Sequence, residues 1–303
     1  MPRELLIGTR LISDEEPAFV VAELGGNHGG SLETAYQLID KAHDAGADAV
    51  KFQKRHNATL YTSTLLDAPY ENENSYGPTY GAHREALELS PFDLFCCFDH
   101  ARQRGLEAFA TAFDERSVDA LLRSGGGIPA FKIHSGGLTD EALIRDVARC
   151  QMPVLLSTGG GTMDDIDRAV GWLGECPHAI LHCTASYPLN PLEANLRVIL
   201  TLRARFPETV IGWSSHHPGI ALSLIAYAFG ARIIEHHLTL SRASKGTDHG
   251  FSLEPKGLQT LIEDLETTRK ALGDGLKMFY PSEVKPISKM RRVQTPEGWR
   301  IAG

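Results

Sequence analysis

The chain has 303 residues, of which 42% are hydrophobic and 22% charged, with a formal net charge of −8. That length allows one large α/β barrel or two average domains, the composition is that of a globular core, and the acidic balance argues against nucleic acid and acidic membrane surfaces as partners. MPRELLIGTR lacks the apolar centre of a secretion signal, no run approaches the roughly 18 apolar residues of a membrane span, and five cysteines without zinc spacing fit a reducing cytoplasm better than a disulfide framework.

In chain order, ELLIGTRLI reads as a hairpin turning at Gly8 and Thr9, within an N-terminal segment of residues 1–16. Apolar strand-like runs then alternate with amphipathic helical ones. AFVVAEL precedes SLETAYQLIDKAHDAG, where Ala35, Leu38, Ile39 and Ala42 recur at helical spacing between a Ser31 N-cap and a stop at Gly46. ADAVKFQ leads into residues 54–89, the one long insertion, rich in Tyr, Asn and Gly. A loop of that length is usually functional, so it is expected to form a flap over a site, with Tyr76, Tyr80 and Arg84 as candidate contacts. The helix SPFDLFCCFDHARQRG and the strand LEAFATAF follow, then DERSVDALLRSGG, AFKIHS, TDEALIRDVARC, PVLLST and TMDDIDRAVGWLG. AILHCT, PLEANLRVILTLRARF, TVIGWSS, PGIALSLIAYAFG, RIIEHH and EPKGLQTLIEDLETTRKALG complete the alternation.

Eight such units over about 250 residues predict an α/β fold of one domain, a (β/α)8 TIM barrel with an N-terminal β-hairpin. It is expected to span 1–303, with 277–303 as a C-terminal tail. The rival, a doubly wound sheet, normally carries GxGxxG after its first strand; ELGGNHGG has other spacing.

A barrel of this kind works at the C-terminal ends of its strands. Those ends carry Glu23, then Lys51 and Gln53, Thr111, Lys132 and Ser135, and Ser157. Thr184 and Tyr187 follow, and the last two strands add Ser214 with His216 and Glu235 with His237. Strand alternation puts His216 and His237 on the inner face and turns His217 and His236 away. Two imidazoles on adjacent strands suit a divalent metal whose remaining positions go to water and substrate oxygens. Lys51 and Lys132, each read alone as a snorkelling or ion-paired residue, together with Thr111, Ser135 and Ser157 form a candidate phosphate cradle. Glu23 is a candidate general base, sugar-hydroxyl partner or acceptor of loop N–H groups. Asp248, in KGTDHGFSLEP, is a candidate hydroxyl ligand.

These residues resemble the sialic acid synthase family, which condenses phosphoenolpyruvate with an amino-sugar aldehyde. VAELGGNHGGSLETAYQLIDKAHDAGADAVKFQ resembles its first βα unit, and FATAFD, PAFKIHSG, PVLLSTGGGT, LHCTASYP, GWSSHHPGI and IIEHHLTL follow in its order. The resemblance implies that His216 and His237 hold the metal, with Mn2+ expected and Mg2+ or Co2+ as alternatives. It implies phosphoenolpyruvate contacts at Lys51, Thr111, Lys132, Ser135, Ser157 and Ser214, and acceptor or catalytic roles at Glu23, Gln53, Tyr187 and Asp248. Partners would be phosphoenolpyruvate and an aldehyde acceptor, with a homodimer as a candidate assembly. Gly137 stands where the family carries an acid, Ser215 where it carries Asp, and Ala185 or Ser186 where it carries Asn. The sequence ends at RRVQTPEGWRIAG, where the family continues into an antifreeze-like domain that supplies an arginine to the acceptor. The expected acceptor is therefore an aldehyde other than N-acetylmannosamine. The rival readings are a metal-dependent barrel aldolase or hydrolase and a catalytically silent partner barrel.

Overall fold

A computed structural model describes residues 3–123 and 127–301. Two compact units divide the chain, Met1–Arg269 and Lys270–Gly303. The first opens with β1 (Glu4–Ile7) and β2 (Arg10–Ser13), antiparallel and joined through Gly8 and Thr9, with Ile7 opposite Arg10. The barrel strands are β3 (Phe19–Glu23), β4 (Ala49–Lys54), β5 (Glu107–Ala112), β6 (Phe131–Ile133), β7 (Val154–Ser157), β8 (His178–Cys183), β9 (Val210–Ser215) and β10 (Ile233–His237). Among the described residues these eight close in order, β10 returning to β3, with every pairing parallel. This is the expected (β/α)8 barrel.

The period of two along each strand sorts the residues. Outward positions such as Val20, Ala22, Val50 and Phe52 pack under the helices in the larger core. Inward positions are apolar low in the barrel, where Phe19, Val21, Ala49, Phe109, Leu155 and Ile233 form a second core with Leu5, Ile7 and Ile12 of the hairpin. The hairpin thus plugs the N-terminal end. Higher up, the same inward rows turn polar, and that change creates the site.

Local signals place the helices. Ser31 caps Leu32–Ala45 by accepting from the Thr34 N–H, and Gly46 ends it at φ 89. Two helices are shorter than their patterns suggest. PLEANLRVILTLRARF yields a 3-10 turn at Pro191–Glu193 and an α-helix only over Val198–Arg205, because Asn195 adopts φ 36 and breaks the run. PGIALSLIAYAFG is helical over Ala221–Ala228. The end of DERSVDALLRSGG, residues 124–126, lies outside the described residues. The insertion after β4 carries three short helices, Asn57–Leu60, Ser63–Leu66 and Tyr80–Leu87. In the second unit, β11 (Arg292–Thr295) pairs with β12 (Gly298–Ile301) as a hairpin. No helix among the described residues is long and apolar enough to cross a membrane.

Candidate active site

All but one of the site residues expected from the strand ends line one cavity of about 420 Å³ at the C-terminal side of the barrel; Thr184 does not, its hydroxyl donating to the Glu193 carbonyl at 3.1 Å. Parallel register brings them together. It sets Glu23 beside Lys51 and His237, Thr111 between Gln53 and Lys132, and Ser214 beside Glu235.

On the floor, Lys51 Nζ lies 2.5 Å from Glu23 Oε2 and donates to Thr111 Oγ1 at 2.8 Å. Lys132 Nζ donates to Glu235 Oε2 at 2.8 Å, Ser214 Oγ donates to Glu235 Oε1 at 3.1 Å, and Lys51 stands 3.7 Å from that same oxygen. The lysines are therefore ion-paired. That is the reading each lysine carries alone, and the candidate phosphate cradle already contains two buried carboxylates. Burial alone would raise the Glu235 carboxyl, but Lys132 and Lys51 outweigh it and hold it down to about 2. Burial pushes the Glu23 carboxyl up, against the opposing pull of Lys51. Burial likewise lowers the Lys132 ammonium despite Glu235, whereas the two carboxylates together raise Lys51 against burial.

Hydroxyls surround this charge cluster. Ser135, in a 3-10 turn after β6, accepts from the Gly159 N–H at 3.1 Å, and Ser157 is buried in the wall. Gln53 Nε2 donates to Glu23 Oε1 at 2.7 Å, linking the floor to the upper wall.

His216 and His237 face one another with ring centroids 5.6 Å apart. His216 Nδ1 lies 2.9 Å from the Thr184 carbonyl oxygen; a proton donated there leaves the Nε2 lone pair free. His237 Nδ1 is buried with no hydrogen-bond partner, 3.6 Å from Asp248 Oδ2. Burial disfavours the charged form of both imidazoles, holding His216 down at about 4 and lowering His237. His236 instead meets Ser223 Oγ at 2.7 Å, and His217 Nδ1 accepts from the Gly219 N–H at 3.0 Å. Among the described residues no group of three or more His, Cys, Asp or Glu side chains is arranged to hold a metal. The donor set that is present, two imidazoles of which His237 keeps an unpartnered buried Nδ1, fits an ion that takes its remaining ligands from water or substrate.

Tyr187 lies over His216 at 4.1 Å between ring centroids, and Thr247 Oγ1 donates to Asp248 Oδ1 at 2.9 Å. Gly25 is needed where the chain passes these groups. It has φ +50, and a Cβ would sit 3.0 Å from Asp248 Oδ2 and 3.3 Å from the His237 ring.

Glu235 stands among the strand-end residues and shares the His237 face by alternation, yet its service to both lysines depends on closure of the barrel. One residue escapes the strand-end reading. Arg55 continues the inward row of Lys51 and Gln53 one step past β4, and its Nη2 donates to Gln53 Oε1 at 2.5 Å. Arg84, on the insertion, reaches the cavity as expected of the flap.

A closed parallel barrel with charged, hydroxyl and imidazole groups converging on the C-terminal strand ends is an enzyme of the (β/α)8 class. The NeuB family pattern matches residues 38–277, and this chain belongs to that family. The N-acetylneuraminate-9-phosphate synthase of Homo sapiens is 35% identical over 306 residues, covering 98% of this chain and 85% of that protein. The N-acetylneuraminate-9-phosphate synthase of Drosophila melanogaster is 38% identical over 249 residues, covering 81% of this chain, which spans 66% of that protein. Among solved structures, the N-acetylneuraminic acid synthetase of Leptospira borgpetersenii serovar Hardjo-bovis matches with a TM-score of 0.80 at 34% identity, over 95% of this chain and 96% of that one.

Proposed function

We propose that this chain joins phosphoenolpyruvate to an aldose, releasing phosphate and giving a 2-keto acid three carbons longer than the acceptor. The observation that carries this reading is the convergence of Lys51, Lys132, Thr111, Ser135, Ser157 and Ser214 in one buried polar pocket beneath two facing imidazoles.

The lysines and hydroxyls hold the carboxylate and phosphate of phosphoenolpyruvate. An incoming anion competes with Glu23 and Glu235 for the ammonium groups. Of the two carboxylates, Glu23 is the one that burial already favours as the neutral acid. His216 and His237 would hold a divalent ion, Mn2+ being the expected one, and when bound it would act as a Lewis acid on the acceptor carbonyl. Gln53, Tyr187 and Asp248 orient the acceptor so that its carbonyl carbon faces C3 of phosphoenolpyruvate. The C3–C1 bond forms from the enol π pair as the carbonyl π pair moves to oxygen, which takes the proton of Glu23. Water adds at C2 and returns a proton to Glu23; the bond between C2 and the phosphate oxygen then breaks, and phosphate leaves with the bond pair while the C2 hydroxyl gives its proton to that phosphate and becomes the keto oxygen. The names of the relatives include one product with a 9-phosphate and one without it.

The test is phosphate release from phosphoenolpyruvate with Mn2+ and a panel of aldoses, with products read by mass spectrometry. A keto acid carrying three added carbons supports the reading. No phosphate release with any aldose defeats it.

A further inference from the structure

We propose that His134 is a specificity-determining residue of this cavity, its imidazole pairing with one neutral hydroxyl of the acceptor. The inference rests on the condensation proposed above and specifies how the acceptor is read.

Position is the first argument. Phe131 and Ile133 pack outward in the larger core, so Lys132 and His134 are successive inward residues, and both line the cavity. At roughly 3.3 Å per residue, His134 stands about 7 Å further along the chain than Lys132. Register extends this to three strands. Gln53, Thr111 and Lys132 lie side by side as one tier. The residues two positions on, Arg55, Phe113 and His134, form the tier above it. If the lower tier holds phosphoenolpyruvate, the upper one borders the acceptor.

Orientation is the second. The His134 ring stacks on Phe113 with centroids 4.1 Å and planes 21° apart, while Arg55 Cζ lies 3.6 Å from the same Phe113 centroid. Two groups that close to one ring must take opposite faces, so the upper tier is a stack of guanidinium, phenyl and imidazole. Beyond His134 the chain turns through Gly136 and Gly137. A Cβ at Gly136 would stand 3.0 Å from the imidazole Cε1 and 3.1 Å from its Nδ1, and one at Gly137 would stand 3.4 Å from its Nε2. The phenyl ring and the glycine turn thus hold the imidazole in place.

Unused bonding capacity is the third. Among the described residues neither ring nitrogen of His134 takes part in a hydrogen bond. Its neighbours are committed: Gln53 donates to Glu23 and accepts from Arg55, and Asp248 accepts from Thr247. Burial, then the charges of Arg55 and Lys51, holds His134 down at about 4, so the ring is uncharged at neutral pH. An uncharged imidazole has one N–H and one lone pair. It suits a hydroxyl, which can donate or accept, and offers no charge to a carboxylate or phosphate.

The experiment measures kcat/KM for phosphate release with mannose, N-acetylmannosamine and the monodeoxy analogues of each. Removing the hydroxyl that His134 reads leaves a polar group unpaired in the cavity, so one deoxy position should lower kcat/KM about 10-fold or more in the parent. His134→Phe, which keeps the stack on Phe113, should erase that penalty, leave those at other positions, and leave the KM for phosphoenolpyruvate within about twofold; His134→Asn should retain part of it. Should the Phe variant not fold, His134→Ala gives the same comparison. Deoxy penalties unchanged by the substitution, or an equal fall with every acceptor, overturn the assignment and leave the condensation standing. If no acceptor releases phosphate, the condensation fails, and calorimetry with mannitol and its monodeoxy analogues still decides His134. A penalty at one position in the parent that disappears in the variant upholds it; no difference between parent and variant, absence of binding included, overturns it.

Discussion

Glu235→Gln isolates the residue on which the charge balance of the floor depends. Its carboxylate accepts from Lys132 at 2.8 Å and from Ser214 at 3.1 Å, and it stands 3.7 Å from Lys51. Removing one partner from a buried ion pair costs about 3–5 kcal/mol. Gln keeps the volume and one acceptor oxygen for Lys132, so the loss should fall at the lower end, about 3 kcal/mol, while Glu235→Leu should approach the upper. For a domain of this size, about 3 kcal/mol corresponds to roughly 6–12 °C in Tm. The assay is thermal unfolding of parent and variant, with and without saturating phosphoenolpyruvate. With Lys132 stripped of its carboxylate, a bound anion has more uncompensated charge to meet, so the ligand should narrow the Tm gap. A variant within about 2 °C of the parent would show that Glu235 is not the counter-charge. A gap that phosphoenolpyruvate leaves unchanged would show that the ligand does not bind at these lysines.

Lys51→Ala should raise the KM for phosphoenolpyruvate by about 10- to 100-fold; a variant that binds it as tightly as the parent removes Lys51 from the anion site. His216→Ala should abolish Mn2+-dependent turnover and weaken Mn2+ binding measured by electron paramagnetic resonance, whereas His217→Ala, directed at Gly219, should do neither. Burial holds His28 and His134 down at about 4 against an ordinary 6.5. Between those values the unfolded chain binds protons that the folded chain does not, so this contribution is complete above about pH 6.5 and is lost as pH falls toward 4. Tm should decline across that window and less steeply in His134→Asn; a Tm that is flat or rises on acidification contradicts the assignment.

The barrel was legible in the chain because its causes are local and repeat: apolar runs buried on both faces, caps such as Ser31 and Gly46, and a period of two that assigns inward and outward rows. The same period turned His216 and His237 inward and His217 and His236 away without reference to any neighbour. What the linear order could not contain was pairing across the barrel. That Lys132 of β6 meets Glu235 of β10 follows from closure, which brings side chains 103 positions apart to 2.8 Å. Sequence alone therefore does not name the partner of a buried ammonium, and tertiary structure decides that a carboxylate meets it first. The insertion shows the same division. Its length and composition mark it as a flap, but only folding sets Arg84 on the cavity wall with Arg55, since no periodicity governs where an irregular segment returns to the barrel.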